Sequence, residues 1–396
     1  MACSIISPDR EYFLTLGLFR QLSIIKLSSE FAYLKQRLFS PLKASDFDII
    51  KRYTIKMTSN IPVPLFVAEV SANHLGNFDR ACAIIDAAAK SGATAVKFQT
   101  YTADTMTLNL EKFAVSADHD LWGSRKLYDL YQEAHTPWEW HAELFARSRA
   151  LGLIPFSSPF DSTAVEFLEK IDAPLYKIAS LETGDLPLIR RVAETGKPLI
   201  ISTGATTLEE IEDLVTIVRN TGNERLTLLV CTSSYPSDPV DAHLNRMQTL
   251  RDLFGVEVGV SDHTLGIGVS IAAIALGATV VERHLTLRRA DGGADSAFSL
   301  EPEEFAMLVT EGIAAYKSLG NSRWSMQDSE KESRRLRRSL FVALDVKAGD
   351  LVTPENLRAI RPGGGAAPKY YESYLGKVFN LDLASGTPMD AKFLRN

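Results

Sequence analysis

The sequence predicts an α/β protein: a closed (β/α)8 barrel of the TIM type followed by a small, turn-rich C-terminal domain. Three observations carry this expectation. From Pro62 onward, eight short β-branched runs alternate with longer stretches of helical period, the pattern of successive βα units in a parallel sheet. Each run closes on residues with chemistry, among them Glu69, Lys97, Lys177 and His284. Several helical stretches stop at a glycine, as at Gly92, Gly152 and Gly277, where a left-handed C-cap costs glycine least.

The runs fall at 65–71, 94–100, 153–157, 174–180, 198–203, 226–231, 256–261 and 279–285, with helices expected at 78–90, 138–151, 207–220 and 303–319, among others. Eight such units could also build an open, doubly wound sheet. The polar residues decide between the two. Glu69, Lys97 and Gln99, Ser157 and Ser158, Lys177 and Ser180, Ser202 and Thr203, Ser233, Asp262 and His263, and Glu282 and His284 end successive runs. A closed barrel gathers all eight ends around one mouth, whereas an open sheet leaves several far from its switch point. The one long interruption, 101–136, follows the second run and therefore lies on the catalytic face as a lid or specificity element.

The length of 396 residues, with 45% hydrophobic and 23% charged residues, accommodates a barrel of about 250 residues and one small extra domain. The expected division is an N-terminal extension at 1–60, a barrel at 61–320, a linker at 321–337 and a small domain at 338–396. Residues 1–57 carry nine Lys/Arg against five Asp/Glu, with no cleavable signal pattern. They read as an upstream extension or, alternatively, as an amphipathic arm. The C-terminal segment contains two similar phrases, Val346-Lys-Ala-Gly-Asp-Leu-Val-Thr353 and Leu383-Ala-Ser-Gly-Thr-Pro-Met389, each built on a glycine turn. The arginines of 331–338 read as a solvated or interface-facing run rather than an anion site.

A net charge of −6 gives no basic footprint for nucleic acid, so a small molecule is the expected partner. Cys3, Cys82 and Cys231 are scattered without a C-x-x-C spacing, which fits a reducing cytoplasm. No apolar run approaches the roughly 18 residues of a membrane span, so no membrane is expected as partner.

His263 and His284 end the seventh and eighth runs, neighbours in a closed barrel. From spacing alone they read equally as the holders of a divalent ion or as two hydrogen-bonded histidines. His74 follows the first run and could line the pocket. Lys97 and Lys177 at the mouth either grip an anion or form a Schiff base. The hydroxyls of Ser158, Ser180, Ser202 and Ser261 around them favour a phosphate or carboxylate cradle. Glu69 and Asp295 add carboxylates suited to positioning water or sugar hydroxyls.

The motifs Ala68-Glu-Val-Ser-Ala-Asn-His74, Val96-Lys-Phe-Gln-Thr-Tyr101, Tyr176-Lys-Ile-Ala-Ser180, Ser261-Asp-His-Thr264 and Glu282-Arg-His-Leu-Thr286 together resemble the sialic acid synthase family. The resemblance runs from about Pro62 to the C-terminus, where Arg361-Pro-Gly363 and Leu375-Gly-Lys377 look like that family's SAF, or antifreeze-like, domain. Leu121-Trp-Gly, Leu127-Tyr-Asp-Leu-Tyr131, Thr136-Pro-Trp-Glu-Trp140 and Asp295-Ser-Ala-Phe-Ser-Leu-Glu-Pro302 resemble its pseudaminic acid synthase branch. Ser-Ala-Asn-His agrees, because N-acetylneuraminate synthases tend to carry Gly-Ile-Asn-His there. One departure is Ser233, where neuraminate synthases often have Asn.

That resemblance implies condensation of phosphoenolpyruvate with an open-chain acetamido sugar, 2,4-diacetamido-2,4,6-trideoxy-L-altrose in that branch, releasing phosphate by C–O cleavage. It implies a Mn2+ or Mg2+ ion on His263 and His284, and Glu69 as the group acting on the attacking water. Lys97, Lys177, Ser158, Ser180, Ser202 and Ser261 would hold the donor, and Gln99, Glu182, Tyr235 and Asp295 the sugar. Arg361 would come from the SAF domain of the partner in a domain-swapped homodimer. The alternatives are an N-acetylneuraminate or legionaminate synthase, a Schiff-base aldolase on Lys177, or a non-catalytic scaffold for a binding domain.

Overall fold

The computed structural model describes residues 64–116 and 123–395. The extension at 1–60, His119 and the Leu121-Trp pair lie outside the described residues. Eight parallel strands close into one barrel in chain order: β1 (Leu65–Glu69), β2 (Ala95–Thr100), β3 (Ile154–Pro159), β4 (Tyr176–Ile178), β5 (Leu199–Ser202), β6 (Leu226–Cys231), β7 (Glu257–Ser261) and β8 (Val280–His284). The closure is the pairing of β1 with β8, which sets Glu69 opposite His284.

Eight helices follow the strands around the outside: α1 (Phe78–Lys90), α2 (Trp138–Ala150), α3 (Ser162–Lys170), α4 (Leu186–Ala193), α5 (Leu208–Asn220), α6 (Arg246–Phe254), α7 (Gly268–Ala275) and α8 (Pro302–Ser318). Their ends follow from local chemistry. The Asn77 side chain caps α1 by accepting from Arg80 N, and the chain leaves α1 through Gly92 at φ +81°. Thr207 and Glu210 form a reciprocal capping box on α5. The helical period then buries Ile211, Leu214, Val215 and Val218 on one face of α5.

Alternation along the strands divides the core in two. Phe66, Phe98, Ile178, Ile201, Leu228 and Val281 point outward and pack under the helices. Val67, Ala95, Phe156, Leu175, Ile200, Leu229 and Val280 point inward and fill the barrel. Truncating a filler such as Phe156 to Ala removes about 3–5 kcal/mol by the usual cavity cost. β7 supplies no side chain to this layer at Gly259, where a Cβ would sit 2.2 Å from the Val280 carbonyl oxygen. Two residues further along the strands, the inward positions are Glu69, Lys97, Ser158, Lys177, Ser202, Cys231, Ser261 and Glu282. The same period of two that fills the barrel therefore lays a polar floor on it at the C-terminal end.

The expected 101–136 loop holds two short helices, Ala103–Met106 and Leu127–Ala134, and an Ala114–Lys126 bridge; 117–122 lie outside the described residues.

Residues from Gly320 onward form a second compact unit. It has β9 (Ser339–Val342) antiparallel to β10 (Leu357–Ile360), and β11 (Val378–Phe379) antiparallel to β12 (Leu394–Arg395). Leu340, Val342, Val346, Val352, Leu357, Phe379 and Met389 make its own core. The two glycine-turn phrases pair directly: Val346 and Leu383 exchange both backbone hydrogen bonds, at 2.9 and 3.0 Å. Among the described residues, no helix is long and apolar enough to cross a membrane.

Candidate active site

The polar floor is organised around two lysines and two glutamates. Lys97 Nζ lies 3.1 Å from Glu69 Oε2 and 3.0 Å from Glu282 Oε1. Lys177 Nζ lies 3.5 Å from the same Glu282 oxygen, to which Ser261 Oγ donates at 3.1 Å. All are buried. Glu282, a run-ending residue to which the sequence assigns no role, is the hub of the floor. Its signal in the sequence was an acidic residue two positions before His284, hence on the same face.

The charges are unequal. Burial pushes the Glu69 carboxyl up to about 7, against the pull of Lys97. Burial also opposes ionisation of Glu282, but Lys177 and Lys97 outweigh it and hold that carboxylate down at about 2. Lys177 is lowered by burial. Glu69 is therefore the carboxylate poised to exchange a proton near neutrality, and Glu282 the permanent counter-charge.

Around the floor, Ser158 Oγ and Ser202 Oγ are buried without a hydrogen-bond partner. Buried hydroxyls in that condition beside two lysines call for acceptor oxygens, which an anionic ligand would supply. Ser180 Oγ accepts from Gly204 N at 3.0 Å. Gly204 was not a sequence candidate; a Cβ there would come within 2.3 Å of Ser233 Oγ and 2.9 Å of Ser180 Oγ. The backbone thus closes on these hydroxyls only because residue 204 is glycine. Glu182, on the turn after β4, is pushed up to about 7 by burial and has Oε2 unpartnered.

His263 and His284 meet at the rim, with ring centroids 5.3 Å apart. Phe298 lies against both rings, at 5.8 and 4.9 Å, and Tyr235 packs on His263 at 4.6 Å. His263 Nδ1 is engaged by the Thr232 carbonyl at 3.0 Å, which leaves Nε2 available. His284 Nδ1 is buried with no hydrogen-bond partner, its nearest carboxylate being Asp295 at 4.0 Å. Burial holds His284 well below the ordinary imidazole range, so its ring is neutral. An orphaned neutral imidazole nitrogen beside a second ring suits a divalent ion. Among the described residues no three His, Cys, Asp or Glu side chains converge on one point. The pair would therefore rely on water or substrate oxygens to complete a coordination shell.

Asp295 Oδ2 accepts hydrogen bonds from Ser71 Oγ and, at 3.3 Å, from Ala72 N. Gln99 Nε2 donates to Ser71 Oγ at 3.1 Å. Gln99 and Asp295, expected at the sugar, are thus joined through Ser71, which the sequence offered only as the first residue of the Ser-Ala-Asn-His motif.

Three expectations need correction. His74 does not line the mouth as a free ring: Nδ1 accepts from Gly76 N at 3.0 Å, Nε2 pairs with Thr136 Oγ1 at 3.3 Å, and Trp140 packs edge-on. Ser157 faces the helix layer, bonded to Thr100 Oγ1 at 2.7 Å. Asp262 also faces outward, paired with Arg283 and Ser270 of α7. Adjacent strand residues point to opposite faces, so one of each consecutive polar pair must leave the mouth. Arg361 lies on an exposed loop of the second unit, after β10.

Residues 84–323, most of the barrel and its floor, match the NeuB family, and 337–395 match the SAF domain. The chain belongs to the NeuB family. This agrees with the resemblance in its motifs. A pseudaminic acid synthase of Campylobacter jejuni is 41% identical over 81% of this chain and 93% of its own length. A pseudaminic acid synthase of Helicobacter pylori is 43% identical over 83% and 97%. An N,N'-diacetyllegionaminic acid synthase of Campylobacter jejuni is 35% identical over 79% and 95%. The solved N-acetylneuraminic acid synthetase of Leptospira borgpetersenii, in complex with citrate, superposes with a TM-score of 0.62 at 32% identity, covering 69% of this chain and 90% of that one.

Proposed function

We propose that this protein is a phosphoenolpyruvate-dependent nonulosonic acid synthase that condenses phosphoenolpyruvate with 2,4-diacetamido-2,4,6-trideoxy-L-altrose to give pseudaminic acid and phosphate. One observation carries the reaction class: two lysines and unpartnered serine hydroxyls lie over the barrel core, next to a histidine pair with an orphaned nitrogen. The choice of sugar rests on the relatives, whose identity is 41–43% for the pseudaminic acid synthases and 35% for the legionaminic one.

In this reading Lys97, Lys177, Ser158, Ser180, Ser202 and Ser261 hold the phosphate and carboxylate of phosphoenolpyruvate. A Mn2+ or Mg2+ ion held by His263 and His284 supplies, when bound, a Lewis acid for the aldehyde oxygen. Gln99, Glu182, Tyr235 and Asp295 orient the sugar so that its C1 faces C3 of the enolpyruvate. As the C–C bond forms, C2 becomes cationic, and Glu69 takes a proton from the water that adds there. Phosphate then leaves with the bridging oxygen. Arg361 of the partner subunit reaches an acetamido group in a domain-swapped homodimer.

The test is incubation with phosphoenolpyruvate, Mn2+ and each candidate sugar, following phosphate release with and without chelator. Fastest release with the altrose derivative is expected. Release with no acetamido sugar would sink the synthase reading, and faster turnover of the legionaminate or neuraminate precursor would reassign the sugar. The lowered Lys177 also suits a Schiff-base aldolase, which borohydride would trap with substrate.

A further inference from the structure

We propose that Ser71 is a positioning residue for sugar recognition, its hydroxyl fixing the orientation of Gln99 and Asp295 together. Ser71 follows β1, is 3% exposed and has φ +45°. A non-glycine residue held in the left-handed region is strained, and persists where surrounding contacts impose it. Here the contacts are visible. The turn at Ser71 aims its own Oγ and the next backbone N–H, that of Ala72, at the same oxygen of Asp295. An extended continuation of β1 would send successive groups to opposite faces.

Ser71 has one hydroxyl hydrogen, which goes to the Asp295 carboxylate, so its oxygen accepts from the Gln99 amide at 3.1 Å. Asp295 has both of these donors on Oδ2, which leaves Oδ1 to a ligand. Gln99 gives one amide N–H to Ser71, which leaves its carbonyl oxygen and its second N–H to a ligand. With the Asp295 carboxylate oxygen beside them, two of the three free groups are acceptors. The pair therefore favours a neutral ligand presenting hydrogen-bond donors, such as an acetamido or hydroxyl group, over an anion. This inference rests on the synthase reading, because it assigns Gln99 and Asp295 to the acetamido sugar and not to phosphoenolpyruvate.

The deciding comparison is Ser71→Gly with Ser71→Ala, assayed in the full-length enzyme with whichever acetamido sugar the wild type turns over best. Glycine removes the hydroxyl and relieves the positive φ; alanine removes the hydroxyl and keeps the strain. The expected result is a KM for the sugar raised about tenfold in both variants, with the KM for phosphoenolpyruvate unmoved. The melting temperature of Ser71→Gly should be equal to or above that of Ser71→Ala. A purely structural serine would instead lower the melting temperature and leave the sugar KM alone, and that outcome overturns the proposal. So does an equal rise in both KM values. A wild type that turns over no acetamido sugar overturns this inference and the synthase reading together, whereas normal turnover with an unmoved sugar KM in both variants overturns this inference alone.

Discussion

Asp262 and Arg283 form a buried ion pair at 2.6 Å on the outer face of β7 and β8, and each is the chain neighbour of a rim histidine, Asp262 of His263 and Arg283 of His284. Asp262 also accepts from Thr264 N at 2.9 Å, and Arg283 donates to Thr264 O at 2.6 Å. The strand ends that present the two imidazoles inward are thus tied together from behind. Removing one partner leaves a buried charge uncompensated, and Arg283→Met should cost about 3–5 kcal/mol in denaturant unfolding. Adding Asp262→Asn to it should recover a substantial part. A single variant as stable as the wild type would show that the pair braces nothing.

Glu69 titrates near neutrality because burial raises its carboxyl to about 7. If its ionised form accepts the proton of water, kcat/KM rises with pH through that value and levels off above it. Lys97 pulls the Glu69 pKa down, so Lys97→Met should move whatever limb remains to higher pH. Glu69→Gln should remove the limb and cost on the order of 10²–10⁴-fold in rate. A pH profile that is flat through neutrality in the wild type contradicts this role.

Metal affinity should depend on both rim histidines. His263→Ala and His284→Ala are each expected to weaken Mn2+ binding on the order of 100-fold, read by titration calorimetry without substrate. Affinity unchanged in either variant would leave them as hydrogen-bonding histidines.

Gly204→Ala places a methyl within 2.3 Å of Ser233 Oγ and 2.9 Å of Ser180 Oγ. The expected result is a loss of about 1–3 kcal/mol from overpacking and a raised KM for phosphoenolpyruvate, measured by steady-state phosphate release. Wild-type KM in a folded variant would remove this backbone segment from the donor site.

The barrel was legible because parallel strands buried on both faces read as apolar runs; 226–231 coincides with β6 as predicted. The fourth run was too long: only Tyr176–Ile178 is strand, since Ser180–Glu182 winds into a 3-10 turn that seats Glu182 in the site. Inward-facing Lys97, Lys177 and Glu69 were legible as polar residues that close successive runs. The facing of Ser157 and Asp262 was misassigned because grouping strand-end residues ignored their alternation. Glu282's importance arises across the barrel, from Lys97 of β2 and Lys177 of β4, which no local pattern displays. Likewise, Ser71 gains its role from a positive φ and from Asp295, over two hundred residues away in the chain.

The proposed condensation breaks the C–O bond of phosphoenolpyruvate at this floor. The most direct measurement uses phosphoenolpyruvate labelled with oxygen-18 at the bridging position, with the acetamido sugar and Mn2+, and weighs both products by mass spectrometry. The label is expected to leave in phosphate, with the keto acid carrying oxygen from water. Label retained in the keto acid would mean P–O cleavage and would overturn the proposed condensation.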